Sequence, residues 1–124
     1  MTTASITCPA DAQKVLTQQL LLVKKQDAHV TKIHDLLVGL RETDPNQDEE
    51  RRRTDVKSIR TLEQAVADLM IKAREFRYAM EQTGFSREIE RATEIFHWSV
   101  NNSVIADQQW NYAHYTYVRS SPGH

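Results

Sequence analysis

IRTLEQAVADLMIKAREFRYAM, residues 59–80, decides the fold. Its apolar residues Ile59, Leu62, Val66, Leu69, Ala73, Phe76 and Met80 follow one another in alternating steps of three and four. That alternation keeps one narrow seam facing a partner along an α-helix. Arg60, Glu63, Gln64, Asp68, Lys72, Arg74, Glu75 and Arg77 fall between, so the rest of the helix surface is polar. The stretch reads as the central helix of a bundle, and its partners must lie on either side in the chain.

Upstream, Pro9 suits a first helical position and Asp11 suits the positive end of the helix dipole. No strong breaker then intervenes until the group Thr43-Asp44-Pro45-Asn46, with Gly39 near the expected end. This first helix shows two apolar stripes. One is Leu16, Leu20, Val23, Val30 and Leu37, interrupted by Asp27 and His34; the other is Val15, Leu22, Ile33, Leu36 and Leu40. A face that wide implies contact with two neighbours. The second helix is expected to start near Asp44 or Gln47 and to stop at Gly84. Downstream, Ser86 reads as the N-cap of a third helix running to about Val118. Its seam is Ile89, Phe96, Val100, Trp110 and Tyr117.

The chain is 124 residues long, with three glycines and three prolines, too few turn residues for a β-rich fold. The expectation is one all-α domain over 1–124, an antiparallel up-down-up bundle of three long helices with loose ends at 1–8 and 119–124. A four-helix bundle is the alternative if the first or second helix is broken. Charged residues make up 27% and balance to −1, so no global field draws the chain to nucleic acid. The N-terminus lacks the basic start and apolar run of a signal peptide, and Cys8 is the single cysteine. A cytoplasmic protein, or one exported without a cleaved signal, fits both features.

Polar breaks in the seams suggest a layer. With the first and third helices parallel and offset by about 77 residues, Asp27 meets Asp107, His34 meets His114, and Arg60 arrives at the same height. Buried there, the two histidines would make the fold sensitive to acid. Lys24 and Lys25, or Arg51, Arg52 and Arg53, offer a basic tip for an anionic membrane surface. No metal or other cofactor is expected: Glu94 and His97 supply one Glu-x-x-His, and a carboxylate di-iron site needs two.

Arg91 and His97 form an Arg-x5-His element that resembles the active element of HEPN-type helical ribonucleases over seven residues, with Phe96 where that element carries a polar residue. The resemblance implies that Arg91 would stabilise a phosphate and His97 would act in acid–base chemistry, across a dimer. The other reading is non-enzymatic. Tyr112 and Tyr115 lie off the third helix's seam, beside Ile33, Leu36 and Leu40 of the first. Together they form an aromatic and apolar surface that a three-helix rod does not need. That surface is expected to bind protein, most simply a second copy of the chain.

Overall fold

Heptad spacing produces three helices of nearly equal length. The computed structural model describes residues 6–120, and α1 spans Pro9–Glu42, α2 Glu49–Glu81 and α3 Ser86–Ser120. Each pair of helices is in contact, giving the up-down-up bundle, about 50 Å long at 1.5 Å per residue. Neither α1 nor α2 is broken, so the four-helix alternative does not arise. Among the described residues no helix is long and apolar enough to cross a membrane.

Every seventh residue of each helix defines the bundle axis. On α1 these are Ala12, Gln19, Gln26, Ile33 and Leu40; on α2, Arg52, Ile59, Val66, Ala73 and Met80; on α3, Ala92, Ser99, Ala106 and Ala113. None is more than 1% exposed. The α2 set matches part of the predicted seam, although Leu62 and Leu69 are half-buried flanks. On α1 the axis runs between the two predicted stripes. On α3 it is a row of alanines and a serine, and the larger Ile89, Phe96, Val100, Trp110 and Tyr117 are half-buried beside it. Two apolar clusters result. One joins Leu16, Val23, Phe76 and Ile95 near one end, and the other joins Ile33, Leu37, Ile59 and Ala106 towards the opposite end.

The helix ends are locally fixed. Thr7 donates from its hydroxyl (2.9 Å) and its backbone N–H (3.2 Å) to Asp11, holding that carboxyl below its ordinary pKa. Ile6 packs on the core and α3 continues to Ser120, so residues 6–8 and 119–120 are not the loose ends expected of them; 1–5 and 121–124 lie outside the described residues. After α1, Asp44 N–H bonds the Asp48 carboxylate (3.0 Å) and Asn46 N–H bonds Asp44 Oδ1 (2.9 Å), which delays α2 to Glu49. After α2, Gly84 takes φ 77°, a left-handed conformation suited to glycine. Ser86 is not the N-cap of α3, because the Phe85 carbonyl accepts the first helical bond, from Ile89 N–H (2.9 Å).

Two stability measurements follow from these positions. Ile59→Ala, on the axis, should lower the unfolding free energy by about 2–5 kcal/mol in urea, and Leu69→Ala, on the flank, by only about 1–2 kcal/mol. Equal losses at the two positions would place the axis elsewhere. Gly39 lies in the last turn of α1, near its end as expected, and a methyl group built there meets nothing within 4 Å. Gly39→Ala should therefore raise stability by about 0.5–1 kcal/mol, read as a higher denaturation midpoint at constant m-value.

Candidate interaction surface

Polar chemistry inside the bundle comes from residues whose importance only their heptad phase reveals. Gln19 is fully buried, and its amide nitrogen donates to the Ala73 carbonyl of α2 (3.0 Å) and the Ala92 carbonyl of α3 (3.0 Å). Seven residues on, Gln26 repeats the arrangement with Val66 (2.9 Å) and Ser99 (3.4 Å). An NH2 group carries two hydrogens, so one side chain can serve both neighbouring helices. Ala92 and Ser99 carry the small side chains that let the amide reach the backbone of α3. Near the other end Arg52, 1% exposed, donates to the last carbonyls of α1, Leu40 (2.6 Å) and Thr43 (3.3 Å), and to the Ser120 hydroxyl of α3. A cation among C-terminal carbonyls complements the negative end of the helix dipole.

The expected layer of Asp27, His34, Arg60, Asp107 and His114 does not form. Each follows an axis residue by one position, which turns it about 100° away from the axis, and all five are exposed. The height is close to that expected, with α1–α3 bonds at separations of 75 and 79 residues about the value of 77, so the layer fails through phase. Asp27 instead accepts from Asn102 (2.8 Å), and Asp107 from Asn111 (3.4 Å). Arg60 and His114 do come together, through Trp110. The guanidinium lies 4.9 Å from the indole centroid, and the imidazole is tilted at 5.3 Å on the same ring. The exposed histidines remove the premise for an acid-sensitive core.

The triple arginine divides between interior and surface. Arg52 is the interior cap just described, Arg51 pairs with Asp55 (4.0 Å), and Arg53 pairs with Glu49 (3.6 Å) and Glu50 (3.8 Å). Lys24 and Lys25 lie mid-helix on α1, about 24 Å along the axis from Leu40, and so form a basic position separate from the arginines. Arg91 is held by Glu94 (2.9 Å) and lies over the Trp98 ring (4.9 Å), whereas the exposed His97 tilts against Phe96 at 6.1 Å. Six positions along the helix separate their directions by about 120°, so they do not converge within one chain. Among the described residues no three His, Cys, Asp or Glu side chains are grouped as a metal site requires.

Ile33 and Leu40 are also lost to any outer surface, because both are axis residues with 0% exposure, and Leu36 is half-buried. Single apolar side chains reach solvent on α1 (Leu21, Val38) and α2 (Ile71, Tyr78), and a group of them does so on α3. Trp98 (37% exposed), Ile105 (42%) and Tyr112 (48%) form a stripe at seven-residue spacing, with Tyr115 (58%) beside it. At the Trp98 end the stripe borders a groove of about 400 Å³ between α1 and α3, lined by Leu20, Val23, Lys24 and Asn101. Between Trp98 and Val118 the only Asp, Glu, Lys or Arg is Asp107. Along its middle the exposed neighbours of the stripe are Asn101, Gln108 and Asn111, and at its ends Arg91 lies over Trp98 and Arg119 over Tyr115. Loss of charge with gain of Tyr and Trp is the compositional signal of an interface core. The sequence reading found the tyrosines and missed Trp98 and Ile105, whose signal is their common spacing with Tyr112.

No protein family matches this chain, and no curated protein or solved structure is significantly similar to it.

The buried amides yield a sharp expectation. The carbonyls they meet lie within continuous helices, where each already accepts a backbone bond. Gln26→Leu should therefore leave the urea midpoint unchanged or raise it, by up to about 1 kcal/mol, since it removes a buried polar group without orphaning a donor. Gln26→Ala should cost about 1–3 kcal/mol through the cavity it leaves. A leucine variant less stable than the alanine variant would show that the amide bonds, rather than the volume, hold the layer.

Proposed function

We propose that this chain is a non-enzymatic protein-interaction module that docks through the outer face of α3, from Trp98 to Tyr115. One observation carries the reading: an aromatic, nearly charge-free helix face on a bundle whose other exposed positions are rich in Lys, Arg, Asp and Glu. The face is solvent-exposed although the bundle axis is already filled, so these side chains contribute little to the fold. Tyr112 and Tyr115 offer large contact area at the cost of few rotatable bonds, with a hydroxyl able to bond at the rim. An adaptor, or a partner that masks a helix on another protein, needs no more than such a face on a rigid rod.

The test separates docking from folding. Tyr112→Ser combined with Tyr115→Ser should leave the thermal melt within a few degrees of the parent, because both residues are about half exposed. The same pair should abolish retention of proteins from the native lysate by the immobilised chain. Identical captured sets for parent and double variant would rule out this face as the docking surface.

A further inference from the structure

We propose that the groove between α1 and α3 beside Trp98 is a carbohydrate site, taking a neutral mono- or disaccharide laid against the indole. The proposal goes beyond the docking role of α3's outer face and does not rest on it, since the tyrosines that test docking lie about 21 Å or more beyond Trp98 along α3. The groove measures about 400 Å³, at the low end of the range for small-ligand sites. Buried Val23 and half-buried Leu20 line it with apolar surface, and Trp98, 37% exposed, gives it an aromatic wall. Sugar rings carry electropositive C–H bonds on one face, and such a face rests favourably on the negative π-face of an aromatic ring. The same indole already draws positive charge, from the Arg91 guanidinium at 4.9 Å.

The polar lining of the groove is Lys24, Asp27, Asn101 and Asn102: a cation, an anion and two carboxamides. The two charges cancel, so neither an anion nor a cation is favoured, because Asp27 repels the first and Lys24 the second. What remains is a mixture of donors and acceptors, which is what hydroxyl groups require, since each of them both donates and accepts. Asn102 donates to Asp27 Oδ1 (2.8 Å), a bond that joins α3 to α1 at the groove and leaves Asp27 Oδ2 and Asn102 Oδ1 as acceptors. Lys24 and Asn101 supply donors, and among the described residues neither has an ion pair or a side-chain hydrogen bond. Acceptors fixed across two helices, free donors and an aromatic wall match a pyranose ring. Its C–H face meets the indole and its hydroxyl rim meets the amides and the carboxylate.

Nuclear magnetic resonance on the full chain reads these groups separately, through the Trp98 indole N–H and the side-chain amides of Asn101 and Asn102. Maltose, lactose and diacetylchitobiose are the probes, with sorbitol as an acyclic polyol and phosphocholine as a zwitterion. At least one disaccharide should shift those signals saturably, with a dissociation constant in the millimolar range, while sorbitol and phosphocholine leave them in place. Trp98→Ala and Asn101→Ala should each weaken that binding at least about tenfold, and thermal melts check that both variants are folded. Tyr112→Ser with Tyr115→Ser should leave the sugar-induced shifts unchanged. No saturable shift with any of the disaccharides overturns the site, as does an equal response to sorbitol or a response to phosphocholine alone. Binding that survives both Trp98→Ala and Asn101→Ala overturns it as well, by placing the sugar elsewhere. None of these outcomes touches the lysate comparison of the tyrosine pair, which alone decides whether that face docks protein.

Discussion

The two amide nitrogens of Gln19 and Gln26, each shared between carbonyls of α2 and α3, are the constraint on which this bundle depends. Apolar packing brings three amphipathic helices together, but it is non-directional and tolerates sliding by a turn. A hydrogen bond within 3.5 Å tolerates neither sliding nor rotation. Two such contacts one heptad apart fix the height and the phase of all three helices. Once the phase is set, positions one residue further on must face outwards, which is why Asp27, His34, Arg60, Asp107 and His114 all meet solvent. The outward stripe of α3 is set by the same phase.

Arg52 does comparable work at the other end through a different balance. Burying a guanidinium is costly unless its donors are satisfied; here α1's terminal carbonyls and the Ser120 hydroxyl accept from the two terminal nitrogens, while Nε is buried without a partner. The side chain thereby ties the end of α1, the start of α2 and the end of α3 into one unit. Tyr117 of α3 adds a second tie nearby, its hydroxyl donating to Glu49 (2.8 Å) at the first turn of α2. The long helices therefore end against one another rather than fraying independently.

Much of this was legible in the chain. Ile59, Val66, Ala73, Phe76 and Met80 announce a buried seam, and the two polar interruptions mark the turns. For Gln19, Gln26 and Arg52, side-chain polarity conceals burial. Gln19 and Gln26 look like surface residues until their amides are seen to have backbone partners, and Arg52 looks like one of three solvated arginines until its phase is compared with Ile59. On α3 the opposite bias applied. Trp110 and Tyr117 drew the seam towards themselves, although a helix that approaches its neighbours closely puts Ala92, Ala106 and Ala113 at the centre. Ile33 and Leu40 were then left over and assigned to a surface they do not share. Several rows share a spacing of seven on each helix, and residue type favours the bulky rows over the axial one.

Both acceptors of each glutamine are main-chain carbonyls, and that makes the alignment code one-sided at each of these layers. The instruction there is written in α1 and read by features that every peptide possesses. Elsewhere the direction reverses: Arg52 of α2 and Gln109 of α3 address main-chain carbonyls of the first helix and its cap, Leu40 and Thr43 for the arginine and Val30 for the glutamine. Each helix is thus a template at one level and compliant at another. Positions away from these contacts are released from specifying register, and the outer face of α3 is among those left free to be written for another purpose.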